Sequence, residues 1–145
     1  PCGNLYHQHK SCRCTELEVK RYKNRLSDPF LDRIDISIQM QPVSSEDRAD
    51  LSSAQMHQQV FDAIKVREAR LQTTPNGKLN DEEIQRFCRV STQLQEIMRQ
   101  ASEQFGLSFR SVNKTLKVAR TIADLTCSQE IQKEHLLEAL SYRRR

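Results

Sequence analysis

Glycine is scarce in this chain of 145 residues: it occurs three times, and the pattern G-x-x-x-x-G-K-[ST] is absent. A loop that wraps the phosphates of a nucleotide needs glycines, because its backbone must approach the ligand closely. A complete P-loop ATPase is therefore excluded within these residues. We expect the chain by itself not to hydrolyse ATP.

Long apolar runs are also missing. No stretch of 18 apolar residues occurs, and the first residues lack both the basic and the apolar segment of a secretion signal. These absences predict a cytoplasmic protein with no membrane partner. The chain begins Pro1-Cys2-Gly3 without an initiator methionine, and we expect it to be a piece of something longer.

Tryptophan is absent, aromatic residues make up 6% of the chain, and the net charge is only +4, from 23 basic and 19 acidic residues. Most of these charges alternate in sign and are typical of solvated helix faces. An alternative is a zinc-clipped helical module that binds nucleic acid. No row of aromatic side chains is interleaved with the cations, as stacking on single strands would require. The cations of that alternative are Lys20, Arg21, Lys23, Arg25 and residues 143–145.

Cysteine is present in an odd number, five, and three of these residues lie within the first 14. Because thiolates are preferred zinc ligands, Cys2, Cys12 and Cys14 predict a structural zinc site. The fourth ligand stays open between His7, His9 and a residue upstream of Pro1. A reduced loop without metal is the other interpretation. The remaining two cysteines occur in helical patterns, so the cysteine usage favours a reducing compartment over a disulfide scaffold.

The fold class that we predict is mainly α: the C-terminal edge of an α/β core, contributing one strand, followed by an all-helical bundle. Alternating apolar residues predict the strand at 34–40, and a capping box predicts a helix from Thr15 to Leu26. The domains are predicted as a core edge at 1–42, a polar linker at 43–52 and a helical domain at 53–145. Within the last, helices are expected at 53–72, after Asn80, after Ser91 with Gly106 as its C-cap, after Ser108, and from Ser128.

The stretch 107–125 organises the bundle. On a helix its apolar residues cover about half of the circumference, so that it needs partners on more than one side. Ser108 is the expected N-cap, and Arg110 falls in the first turn, where the helix dipole disfavours a cation by about 0.3–1 kcal/mol. An anion near this helix start would offset that cost.

Several segments, in this order, resemble one family over nearly the whole chain. The chain is similar to the C-terminal part of the magnesium-chelatase-like AAA+ ATPases of the ComM (YifB) type, bacterial proteins associated with DNA uptake and recombination. The segments are PCG at 1–3 with Cys12-x-Cys14, PFLDRID at 29–35, S-x-R at 108–110, VARTIADL at 118–125 and EHLLEAL at 134–140.

The resemblance implies an AAA+ core edge followed by its helical lid. It places Arg33 on the arginine finger, which reaches the γ-phosphate bound by the neighbouring subunit, and Arg110 on the sensor-2 position, which contacts the nucleotide of its own subunit. Without the resemblance, Arg33 is a surface arginine paired with Asp32 or Asp35. Lys114 and Lys117 share the face of Arg110 and are expected to be solvated.

By the same resemblance the parent protein binds ATP and Mg²⁺, forms a homo-hexameric ring and acts on DNA in competence or recombination. The family carries one more cysteine just before the position of Pro1, which would complete a zinc site with Cys2, Cys12 and Cys14.

Overall fold

The computed structural model describes residues 1–5, 7, 10–40 and 43–143. These described residues form α-helices, one short 3-10 turn and no strand. The chain divides into two compact units, Pro1–Ile34 and Asp35–Arg145. The predicted domain limits at 42 and 53 stay a prediction, and position 42 itself lies outside the described residues.

The first unit contains α1, Glu16–Lys23, and the single helical turn α2, Asp28–Leu31. The predicted capping box starts α1: the Thr15 hydroxyl accepts the Glu18 N–H, and the Glu18 carboxylate accepts the Thr15 N–H at 2.8 Å. None of the side chains described in this unit is buried. Local hydrogen bonds therefore define its helices.

The second unit contains five further helices in the described residues: α3, Ser53–Ala69; α4, Asp81–Phe87; α5, Thr92–Phe105; α6, Phe109–Leu125; and α7, Lys133–Ser141. Side chains of Ser52, Asn80, Ser91 and Ser108 accept backbone N–H groups at the starts of α3 to α6. Gly106 ends α5 in the left-handed region at φ 61°. The caps at Asn80, Ser91, Gly106 and Ser108 are confirmed.

Helix α6 lies at the centre of the second unit and packs against α3, α4, α7 and the 3-10 turn Asn76–Lys78. Its small residues Ala119 and Ala123 are fully buried, so neighbouring helices approach its backbone closely. Leu136 of α7 is also fully buried. The remaining core side chains include Leu79, Ile84, Cys88, Leu94, Met98, Ile122, Ile131 and Ala139. The predicted central position of this helix and the predicted mainly α class are confirmed.

The predicted strand at 34–40 is not formed. A strand needs a partner to satisfy its backbone groups, and the described chain offers no second strand. The Ser37 N–H instead donates to the carbonyl of Tyr142 at 2.9 Å, within the second unit. Ile38 and Met40 are 64% and 82% exposed, so the alternating apolar side chains are left largely uncovered.

The last helix also begins later than predicted, at Lys133 and not after Ser128. The guanidinium of Arg120 donates to the carbonyls of Ser128 and Gln129 at 2.7 and 2.9 Å. Because these two carbonyls accept hydrogen bonds from a side chain of α6, the residues stay in an irregular turn before α7 begins.

Candidate functional site

Arg33 lies directly after α2, on the turn that ends it. Its N–H donates to the carbonyl of Phe30 at 3.0 Å, and its Nη1 donates to the carbonyl of Pro29 at 2.6 Å. The side chain is exposed, although its guanidinium bonds to its own helical turn. A short, hydrogen-bonded turn therefore places this cation at the surface of the first unit.

Arg110 is the second residue of α6. The Ser108 hydroxyl accepts the Ser111 N–H at 3.1 Å, so the start of the helix is capped as predicted. The Arg110 side chain is exposed and makes no hydrogen bond or ion pair with any residue that the structure describes. A cation without a protein partner beside a helix N-terminus suits an anionic ligand, because both the guanidinium and the free N–H groups attract it.

The two lysines on the same face, expected to be solvated, both contact the protein, and Lys114 is largely shielded from solvent. Lys114 Nζ lies 2.7 Å from Oδ1 of Asp35, and the Lys114 side chain is only 13% exposed. Lys117 Nζ lies 3.4 Å from the carbonyl of Gly77. Both ammonium groups therefore have protein partners, and Arg110 alone of the three has none in the described chain.

A buried polar cluster lies farther along α6, around Asp124. Both carboxylate oxygens accept hydrogen bonds from the guanidinium of Arg70, and one also accepts from Asn76 at 2.8 Å. Arg120 Nε donates to the same carboxylate at 3.1 Å. Burial lowers the pKa of Arg120, and the charge of Asp124 opposes that shift. The cluster is a structural brace joining the end of α3 to α6.

The sequence did not reveal this brace. Arg120 and Asp124 belong to the segment 118–125 that resembles the family, but their partner Arg70 lies 54 residues from Asp124. The one signal in the sequence was the presence of two opposite charges at i, i+4 within an apolar helix face, which predicts a buried pair.

Cys2, Cys12 and Cys14 come together: all three sulfurs lie within 4.8 Å of one another. The Cys2 and Cys12 sulfurs are 3.6 Å apart, and the Cys2 N–H donates to the Cys14 sulfur at 3.0 Å. Hydrogen bonds from the backbone of Asn4 and Arg13 lower the pKa of Cys2 to about 6. Three converging sulfurs, one of them favouring the thiolate form, fit the donor set of zinc.

The fourth ligand is not found among the described residues. His7 does not belong to the group of converging ligand atoms, and His9 lies outside the described residues. His9 and a ligand upstream of Pro1 both stay open as predictions.

The cations proposed for the nucleic-acid alternative differ in their surroundings. Lys20, Arg21 and Lys23 are exposed on α1, and the Arg25 guanidinium lies 5.6 Å from the centre of the Tyr22 ring. Arg143, in contrast, donates to the Ser111 hydroxyl at 3.0 Å. Residues 144 and 145 lie outside the described residues.

Among the described residues, no helix combines the length and apolar character needed to cross a bilayer.

The bundle, with a serine-capped helix that exposes an arginine in its first turn, has the architecture of an AAA+ lid domain. The family model for magnesium chelatase, subunit ChlI C-terminal, matches residues 50–143, and that for magnesium chelatase, subunit ChlI, matches residues 1–48. This chain belongs to the magnesium chelatase ChlI family and is thereby related to the AAA+ ATPases.

Three relatives illustrate the match. Competence protein ComM of Haemophilus influenzae is 38% identical over 99% of this chain and 28% of its own length. YifB of Salmonella typhimurium, described as uncharacterized, is 38% identical over 99% of this chain and 29% of its own. Mb2921c of Mycobacterium bovis, also described as uncharacterized, is 32% identical over 99% of this chain and 30% of its own length. The chain thus spans less than a third of these relatives.

Proposed function

We propose that this chain supplies two arginines to the ATP-hydrolysing sites of an AAA+ ring. Arg33 is the finger that reaches the γ-phosphate held by the adjacent subunit, and Arg110 is the sensor-2 residue that contacts the nucleotide of its own subunit. The observation that carries the proposal is the exposed Arg110 at the capped start of α6, which has no partner among the described residues, in a chain of the magnesium chelatase family.

Chemistry supports the choice of arginine at both positions. A guanidinium delivered by a neighbouring subunit stabilises the charge that develops on the transferred phosphoryl group, and its planar array of donors matches phosphate oxygens better than an ammonium does. The Arg33 mount is short and hydrogen-bonded, which limits the loss of conformational entropy on docking. Because the finger and the sensor serve different nucleotides, the two arginines are not required to meet.

The parent protein is proposed to be a cytoplasmic, DNA-acting motor that binds ATP and Mg²⁺ and assembles as a homo-hexamer. The relative named a competence protein and the resemblance to the ComM type support a role in competence or recombination. A phosphate-binding loop, Mg²⁺ ligands and a catalytic base would come from parts of the parent outside this chain. Zinc held by Cys2, Cys12 and Cys14 would fix the loop before α1 and would take no part in hydrolysis.

The experiment compares Arg33→Ala and Arg110→Ala in the full-length protein. Arg33→Ala is expected to reduce ATP turnover by roughly 10³-fold or more, as in GTPases that lose their finger, with nucleotide binding retained. Arg110→Ala is expected to weaken nucleotide binding. Turnover is followed by phosphate release and binding by a fluorescent ATP analogue.

The matched controls are Arg21→Ala on α1 and Arg89→Ala after α4, because both are exposed arginines of the same two units. Each should leave turnover and binding unchanged. Normal turnover in Arg33→Ala would rule out the finger, and normal affinity together with normal turnover in Arg110→Ala would rule out the sensor.

A further inference from the structure

One ion pair connects two segments that are distant in sequence and adjacent to the two proposed arginines. Lys114 Nζ lies 2.7 Å from Oδ1 of Asp35. Lys114 follows Arg110 by one turn on the same face of α6, and Asp35 follows Arg33 by two residues. The pair therefore connects α6, one turn after Arg110, to the segment that begins two residues after Arg33.

The environment of this pair differs from that of an ordinary surface ion pair. The Lys114 side chain is 13% exposed, whereas both partners of the Lys65–Asp62 pair on α3 are largely exposed, at 58% and 41%. Exposed pairs are screened by water and contribute little, and a partly buried lysine is screened much less. The Lys114 ammonium is therefore less screened by water than that of Lys65, while the Asp35 carboxylate is 57% exposed.

The segment that follows Asp35 makes a second contact within the second unit. The Ser37 N–H donates to the carbonyl of Tyr142, which follows α7, at 2.9 Å. Because consecutive Cα atoms are about 3.8 Å apart, Arg33 and Asp35 are separated by no more than roughly 7–8 Å of chain. The position of Asp35 therefore limits the positions that are open to Arg33.

We propose that the Asp35–Lys114 ion pair is a positioning contact that couples the nucleotide beside Arg110 to the placement of Arg33 at the adjacent subunit. The inference rests on the proposed function. Neither Asp35 nor Lys114 is proposed to touch nucleotide: Lys114 lies one turn after Arg110 on α6, and Asp35 lies two residues after Arg33. The pair thereby links successive ATP sites of the ring through a single chain.

The test uses the full-length protein with Asp35→Asn and Lys114→Gln, which remove one charge each and keep the size of the side chain. Both are expected to lower maximal ATP turnover about tenfold, within the range of typical coupling free energies, and to bring the Hill coefficient for ATP towards 1. The dissociation constant of a fluorescent ATP analogue should stay within about twofold, because Arg110 is intact.

Three further variants separate positioning from a structural role. The charge reversal that combines Asp35→Lys with Lys114→Asp restores the attraction and should recover turnover relative to either single variant. Lys114→Arg keeps the charge and should retain the wild-type Hill coefficient. Asp62→Asn, which breaks the exposed pair on α3, should change nothing.

Wild-type turnover and cooperativity in Asp35→Asn would overturn the inference, as would equal losses in Lys114→Arg and Lys114→Gln. Circular dichroism melts show whether any variant is unfolded; if the charge reversal does not fold, the two Lys114 variants decide. Normal turnover in Arg33→Ala would defeat the proposed function itself. An inactive Arg33→Ala beside a normal Asp35→Asn would defeat only this inference.

Discussion

The two compact units are built in different ways. In residues 1–34 no described side chain is buried, and the short helices depend on capping hydrogen bonds and on the turn after α2. In residues 35–145, α6 is surrounded by packed helices, and even its charged residues Arg120 and Asp124 are about 98% buried. The helices of the first unit are therefore determined by local hydrogen bonds, whereas those of the second unit are determined by tertiary contacts.

Asp124→Ala should break the second unit with the largest effect. The substitution removes the acceptor of Arg70, Asn76 and Arg120 and leaves the Arg120 guanidinium buried without its counter-charge. Loss of one member of a buried ion pair costs about 3–5 kcal/mol. We expect the free energy of unfolding, measured by urea titration with far-ultraviolet circular dichroism, to fall by that amount.

Asp62→Ala is the matched control, since it removes an aspartate from a pair that is exposed at both ends. Its cost should be below about 1 kcal/mol. In the first unit, Leu17→Ala should also cost little, because Leu17 is 58% exposed. If Asp124→Ala were no more costly than Asp62→Ala, the buried cluster would not be the brace of α6.

Thiol reactivity compares the units directly. Hydrogen bonds from the backbone lower the pKa of Cys2 to about 6, and burial raises the pKa of Cys88 to about 11. At pH 7 the thiolate fraction of Cys2 exceeds that of Cys88 by a factor of about 10⁴. The lower nucleophilicity of the more acidic thiol offsets part of this difference. We expect iodoacetamide to modify Cys2 on the order of 100-fold faster in the metal-free, reduced chain.

The pH dependence and zinc sharpen this comparison. The Cys2 rate should rise as pH passes 6 and level off above 7, since the thiolate is then fully formed, while the Cys88 rate should still be rising at pH 10. Equimolar Zn²⁺ should protect Cys2, Cys12 and Cys14. The exposed Cys127 serves as the unprotected control, with the sites of modification read by mass spectrometry. Unchanged Cys2 modification in the presence of zinc would contradict a metal site.

The features that could be predicted from the sequence are those encoded by local contacts. Caps are encoded within three or four residues, so the starts of α4, α5 and α6 and the end of α5 at Gly106 were predictable. The grouping of Cys12 and Cys14 with Cys2 was predictable because three thiols, the ligands that zinc prefers, lie within 14 residues. The strand at 34–40 was wrong because its periodicity specifies side-chain alternation and supplies no partner strand.

Contacts between distant residues were not predictable. Nothing near Lys114 identifies Asp35 as its partner, and nothing near Asp124 identifies Arg70. The start of α7 was misplaced for a similar reason, since the Arg120 side chain takes the carbonyls of Ser128 and Gln129. The roles of Arg33 and Arg110 came from family resemblance, and the structure contributes their exposure and their neighbours.

The smallest predicted effect concerns Leu71, which follows α3 with φ at 59° and is 82% exposed. The left-handed region costs an L-residue about 1–2 kcal/mol, and glycine avoids that cost while losing more entropy on folding, about 0.5–1 kcal/mol. Leu71→Gly should therefore stabilise the second unit by roughly 0.5–1 kcal/mol, seen as a higher urea midpoint at an unchanged slope. Gly106→Ala, at φ 61° and with open space around the added Cβ, is the opposite control and should lower the midpoint by a similar amount. A lower midpoint in Leu71→Gly would instead show that the exposed leucine side chain stabilises the unit by more than its backbone strain costs.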